Sequence, residues 1–172
     1  AQDETILVQG EARLSRSKNL SKRARLIGLK EATITLGKNT ILTFKEGSVA
    51  QNLKFVLKEG ARLVLEGNGT KLFDSEIIGN RRRMGAQGRL QKIFAIKESL
   101  ATELNGEPCG LELRGDDVEV SGCRVHNNAT GICIISLGGQ ASATLSDMDI
   151  YDNAVGVDVL FAETVTILDS RI

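Results

Sequence analysis

A short pattern, glycine–apolar–any–apolar, recurs along the second half of the chain and narrows the folds open to it. Gly110-Leu111-Glu112-Leu113 is followed 21 residues later by Gly131-Ile132-Cys133-Ile134, and 25 residues further on by Gly156-Val157-Asp158-Val159. The register continues downstream of each glycine. Val118 and Val120 align with Ala143 and Leu145, then with Val165 and Ile167; Cys123 and Val125 align with Met148 and Ile150, then with Ser170 and Ile172. Asn127-Asn128 aligns with Asp152-Asn153, just ahead of the next glycine. Each repeat thus holds three short alternating segments parted by Asn, Asp and Gly. Alternation with period two places one side of a strand inward. A unit this short cannot close a core alone, but stacked copies bury a continuous one. The longer repeat takes up its extra residues at Gly138-Gly139-Gln140.

A looser version occupies the front half. Ile34, Leu36, Leu42 and Phe44 recur 21 residues later as Phe55, Leu57, Leu63 and Leu65. The resulting division is a cap and basic lead-in over 1–31, irregular basic coils over 32–79, an insertion over 80–109 and three regular coils over 110–172. Within the insertion, Leu90, Ile93, Phe94, Lys97, Leu100, Ala101 and Leu104 recur at helical spacing before Asn105-Gly106 and Pro108, which predicts a helix; Ile93–Ile96 also reads as a strand. The register stops part-way through a repeat at Ile172, which predicts an edge covered by more chain, another domain or another subunit.

Composition agrees with a stack. Trp is absent and only 3% of residues are aromatic, so the core is expected from Val, Ile, Leu and Ala, which suit a narrow, uniform interior. The formal net charge is zero but unevenly placed: residues 1–98 hold 19 Lys/Arg against 10 Asp/Glu, and residues 99–172 hold 3 against 12. Such polarity fits end-to-end self-association or a polyanion at the basic end, and equally a solubility feature screened by salt. Cys109, Cys123 and Cys133, an odd and sparse set, fit buried or free thiols and leave room for one disulfide, and they do not fix the compartment. No apolar run approaches membrane-spanning length, and Ala1-Gln2-Asp3 fits a start left by removal of a leader.

At the turns Asn127-Asn128-Ala129-Thr130-Gly131-Ile132 and Asp152-Asn153-Ala154-Val155-Gly156-Val157, the chain resembles the right-handed parallel β-helix of the pectin lyase-like superfamily. The resemblance covers 110–172 well and 32–79 loosely. It implies an all-β fold: a single-stranded right-handed parallel β-helix, a solenoid, with one inserted helical segment. The superfamily includes polysaccharide lyases, glycoside hydrolases and uronate epimerases, and also phage tail-spike and fibre domains, bacterial adhesins and non-catalytic stacks. Leu36–Ser48 looks like the opening coils of secreted or phage-borne members from gut-type bacteria. Glycoside-hydrolysing members carry an Asn-Thr-Asp-Gly-type motif. The matching places here, Asn128-Ala129-Thr130-Gly131 and Asn153-Ala154-Val155-Gly156, lack the carboxylate before glycine, and the family's other acid motifs are absent as a set.

Several residues remain candidates for chemistry. Glu112, Cys133 and Asp158 stack outward on one strand position, with Glu112 and Asp158 two layers apart, about 10 Å at strand spacing. An inverting glycosidase separates its acids by about 6.5–9.5 Å. Arg124 with His126 fits the base of a lyase-like mechanism; a salt-bridged ladder of Glu76, Arg124, Asp149 and Arg171 with His126 over Tyr151 is the favoured reading of the same residues. Arg81, Arg82, Arg83, Arg89 and Lys92 suit the carboxylate or sulfate groups of an acidic glycan, although a solvated insertion loop is the more ordinary reading of such a cluster. Asn127, Asn128, Asp152 and Asn153 read as structural turn residues. Asn68-Gly-Thr and Asn128-Ala-Thr are glycosylation sequons, and Arg114-Gly115-Asp116 spells an integrin-type tripeptide. No metal-ligand spacing or phosphate-binding loop points to a cofactor, and the few aromatics argue against base stacking on nucleic acid.

These observations predict an extracellular or virion-surface module that binds polysaccharide or serves as a structural or adhesion element without catalysis. Two alternatives stay open: part of a lyase or hydrolase acting on an acidic glycan, and a fibre element joined end to end through its C-terminal coil.

Overall fold

The computed structural model describes residues 3–80, 109–136 and 140–172, which form a parallel β-solenoid of about six turns. Every strand pairing among the described residues is parallel, and none of these residues is helical. The helix expected between Leu90 and Leu104 lies outside the described residues.

Three faces run along the stack. The first holds the second halves of β1 (Thr5–Leu14) and β3 (Arg25–Leu36), then β6 (Lys54–Leu57), β9 (Glu76–Ile78), β12 (Arg124–His126) and β15 (Asp149–Tyr151). The second holds β2 (Lys18–Asn19), β4 (Ile41–Phe44), β7 (Arg62–Leu65), β10 (Cys109–Leu113), β13 (Thr130–Ile135) and β16 (Val155–Leu160). The third holds the first halves of β1 and β3, then β5 (Val49–Gln51), β8 (Lys71–Phe73), β11 (Val118–Ser121), β14 (Ser142–Ser146) and β17 (Thr164–Leu168). Residues 3–31, expected as a cap, supply strands of their own. β1 lies beside β3 from Thr5↔Arg25 to Leu14↔Leu36 and turns between faces at Gly10.

The repeat pattern is the register of the sheets. Leu111 faces Ile132 and then Val157; Val120 faces Leu145 and then Ile167; Phe55 lies beside Ile34. Inward positions are buried in column after column. The aliphatic interior also takes two large aromatics, Phe44 and Phe55, both fully buried in the front half.

What turns each strand into the next is a left-handed residue at the corner. Between the third and first faces these residues are Asn52, Asp74, Gly122, Asp147 and Asp169, with φ of 58°, 45°, 64°, 51° and 46°. Between the first and second faces Asn39, Gly60, Asn127 and Asp152 do the same, and between the second and third Gly47, Gly69 and Asp117, with Arg23 and Phe161 taking the same conformation on the first and last rungs. This region suits Gly, Asn and Asp because other side chains crowd the following carbonyl. Backbone bonds follow the corner from turn to turn, as in Asp74 N–H to Ser121 O (3.0 Å) and Gly122 N–H to Ser146 O (3.0 Å).

The glycines that open the repeats answer to the asparagines that close them. Asn128, 5% exposed, donates from Nδ2 to His126 O (2.9 Å) and to Asn153 Oδ1 (3.1 Å), and Asn153 Nδ2 in turn donates to Tyr151 O (3.0 Å) and Val125 O (2.9 Å). A Cβ on Gly110 would stand 2.3 Å from Asn128 Oδ1, and one on Gly131 would stand 3.0 Å from Asn153 Nδ2. Turns are tied further by cross-rung ion pairs, among them Lys22–Glu46 (2.8 Å), Lys45–Glu66 and Lys71–Glu119 (3.0 Å), and by the Cys109–Cys133 disulfide between β10 and β13.

The corner geometry yields a test at Asp147. Asp147→Val forces a β-branched residue into the left-handed region and is expected to lower urea-melt stability by about 1–2 kcal/mol. Asp147→Gly is expected to match or exceed the parent.

Candidate functional site

On the second face, Val64, Glu112, Cys133 and Asp158 form one outward column, in the register that placed Glu112 and Asp158 two rungs apart. The column is not an open pair of acids. Glu112 is 4% exposed and clamped between two guanidiniums. Arg62 Nη1, from the preceding rung, lies 3.3 Å from Oε1; Arg114 Nη2 and Nε lie 2.6 and 3.0 Å from Oε2. Both carboxylate oxygens are thus committed as acceptors, and neither faces a position from which it could protonate a substrate. Cys133, between the two acids, is bonded to Cys109 and is as buried as Glu112. β10 is buried at all five positions, so this face is closed at its centre, while Asp158 remains half-buried on the next strand but one. Arg62 Nε is buried without a hydrogen-bond partner, a residual cost within the cluster.

On the first face, Glu76, Arg124, Asp149 and Arg171 stand in one column, and His126 stands beside Ile78 and Tyr151 in the next. Arg124 Nη2 lies 3.3 Å from Glu76 Oε2, and Arg171 is bidentate on Asp149 at 2.8 and 2.9 Å. His126 Nε2 lies 2.8 Å from Glu76 Oε1, and its ring stacks on Tyr151 with centroids 4.6 Å apart and planes inclined by 8°. Burial pushes the Glu76 carboxyl up, but the His126 hydrogen bond and the charges of Arg124 and Lys54 outweigh it and hold the group below its ordinary value. Arg124 and His126 are therefore both engaged with Glu76, the arrangement of a ladder. Removing a proton from a substrate would first require one of them to leave it.

The third face holds a shallow trough absent from the sequence reading. It encloses about 410 Å³ and is lined by Asp116, Asp117, Ser142, Thr144, Glu163 and Thr166, among others. Asp117 N–H donates to Ser142 Oγ (2.8 Å), and Ser142 Oγ bonds Asp116. The signal was present as hydroxyl residues at outward parity on β14 and β17, but which outward column becomes concave depends on the neighbouring turns.

Other candidates fall differently. Arg81, Arg82, Arg83, Arg89 and Lys92 lie outside the described residues. Arg114 of the Arg-Gly-Asp tripeptide is spent on Glu112, and Gly115 packs on Gly67, where an added Cβ would stand 2.3 Å from the Gly67 carbonyl oxygen. Asn128 of one sequon is buried with its amide committed to the ladder, whereas Asn68 of the other is exposed. Cys123 is a buried free thiol whose pKa burial pushes up to about 12, so it is not a poised nucleophile. Among the described residues no group of three or more His, Cys, Asp or Glu side chains is placed to hold a metal, and no helix is long and apolar enough to cross a membrane.

Comparison of the chain with protein-family models, curated proteins and solved structures finds no match.

Two substitutions test these assignments. Glu112→Gln leaves the Arg62 and Arg114 guanidiniums without their counter-charge and is expected to cost about 2–3 kcal/mol in denaturant melts at neutral pH. Glu76 has a lowered folded-state pKa, so its contribution is present above the unfolded value of 4.5 and lost as pH falls through the folded value. Glu76→Gln is therefore expected to be about 1 kcal/mol less stable at pH 7, with the gap narrowing as pH is taken below 4.5, as measured by paired urea melts.

Proposed function

We propose that the chain is an exported or virion-surface module, a right-handed parallel β-helix of the pectin lyase-like kind, that binds polysaccharide without cleaving it. The observation that carries this reading is the closure of the second face: Glu112 is buried and held at both oxygens by Arg62 and Arg114, with a disulfide sulfur between it and Asp158. Asp158 is thereby left without the partner that a two-carboxylate glycosidase requires.

Two further features support the reading. The Cys109–Cys133 disulfide fits an oxidising compartment, where such bonds persist. The trough on the third face offers hydroxyls and carboxylates along an open, shallow surface, the chemistry that meets sugar hydroxyls through hydrogen bonds. The resemblance at the Gly131-Ile132 and Gly156-Val157 turns is to a superfamily that contains binding and structural stacks as well as enzymes.

The test is a panel of neutral, uronic and sulfated polysaccharides scored for both retention and product. Retention without new reducing or unsaturated ends is the expected result, reduced at least fivefold in the Thr144→Val/Thr166→Val double variant. Loss of retention of acidic members alone on replacing Arg81, Arg82 and Arg83 by Ala would add the basic cluster to the binding surface. Release of product that stops in Asp158→Asn would replace this reading with the enzymatic one.

A further inference from the structure

Phe161 breaks a rule that the other corners keep. Its backbone is left-handed, with φ of 59°, and among the described residues it is the only apolar side chain other than glycine in that region; the rest are Asn, Asp, Arg, Lys or Glu. A bulky residue held in this conformation is strained, and such strain gathers at sites of function. Phe161 is also 82% exposed. That exposure belongs to the corner. Left-handed residues point outward on the inner rungs too: Asn39, Asn52, Asp74, Asp117 and Asp147 are all exposed with rungs stacked on both sides of them.

The corner that carries Phe161 borders the trough of the third face. Glu163, two residues on, lines the trough and donates its N–H to Ala141 O (2.9 Å), which ties this corner to the preceding rung. Two residues of chain span at most about 7 Å between Cα atoms. Asp117, at the same corner two rungs back, lines the trough as well, and Thr144 and Thr166 add hydroxyls from adjacent places in one outward column. The surroundings carry one sign of charge. Residues 115–122, 140–147 and 161–169, which make up the third face and its corners over the last three turns, hold six carboxylates and no Lys, Arg or His. Of the six, Glu119 pairs with Lys71 at 3.0 Å, whereas Asp117 and Glu163 have no ion-pair partner among the described residues. Such a surface repels polyanions while offering strong acceptors to uncharged hydroxyls.

We propose that Phe161 is a stacking platform for a neutral pyranose unit, with Asp117, Glu163, Thr144 and Thr166 meeting its hydroxyls. The inference rests on the binding reading above and adds to it one residue and a ligand class, an uncharged polysaccharide rather than a uronic or sulfated one. An aromatic face is the negative side of the ring, so it receives the C–H bonds on one side of a pyranose while the hydroxyls at the sugar's rim stay free for the trough. Asn or Asp, which the corner geometry favours, has no such face to offer, and this is what the strained phenylalanine supplies in their place.

Affinity chromatography of the 172-residue chain on a neutral glucan, a neutral galactomannan, polygalacturonate and dextran sulfate tests this, with urea melts of each form. The wild type is expected to be retained on a neutral column more than on either acidic one. Phe161→Asn, which installs a residue type used at other corners, is expected to weaken that retention roughly fivefold and to leave the urea midpoint unchanged or raised. Phe161→Trp is expected to keep the retention. Unchanged retention of Phe161→Asn beside reduced retention of Thr144→Val/Thr166→Val overturns the platform and leaves the binding reading standing. A lowered urea midpoint in Phe161→Asn, or stronger wild-type retention on polygalacturonate or dextran sulfate, overturns it too. A wild type retained on none of the four columns overturns both.

Discussion

The architecture depends on a backbone constraint more than on any one contact: the chain must enter the left-handed region at each corner so that successive rungs turn through the same angle and superimpose. Asn52, Asp74, Gly122, Asp147 and Asp169 meet that constraint five times at one edge of the prism. If one corner turned differently, the inward columns beyond it would fall out of line, and a core only a few side chains wide has no other way to close. Short polar residues at these positions therefore do a packing job at a distance. They hold Leu72, Val120 and Leu145 in one file without touching all of them.

Given that geometry, the remaining interactions act between rungs. The Asn128–Asn153 ladder ties the amides of successive rungs to each other and to carbonyl groups at the first-to-second corner, and the matching glycines keep room for it. Exposed ion pairs such as Lys22–Glu46 and Arg171–Asp149 are screened by water and salt, so they fix register more than they set total stability. The Arg62–Glu112–Arg114 cluster is a different case. Its carboxylate is withdrawn from water while the two guanidiniums stay partly exposed, so removing either arginine leaves a buried charge less well compensated.

How far the sequence disclosed this follows from how local each signal is. The columns through Gly110, Gly131 and Gly156 were legible because inward residues and turn residues recur within one short repeat. The front rung was harder. β1 and β3 each pass through a corner without a break in strand structure, and several of their outward residues are polar or charged, so the apolar run Thr5–Val8 stood out alone. The fate of Glu112 was not readable. Its position in the outward column was correct, but one of its two guanidinium partners is Arg62, which adjoins it only because the sheet brings β7 beside β10 across a long stretch of chain. The trough on the third face was missed for a related reason: outward Ser and Thr residues mark a surface, and concavity is a property of several turns together.

The strands on either side of residues 81–108 meet as if nothing lay between them. Arg124 reaches Glu76 and Glu119 reaches Lys71 across a sequence separation of 48 residues, in the geometry that elsewhere spans a single repeat, and Gly79 N–H bonds His126 O as an ordinary corner would. The rungs therefore hold one register across that corner through pairings of their own. A scaffold with this property separates two design problems. The stack keeps its register through its own columns, so the alignment of the frame is one problem and whatever is carried at the corner is another.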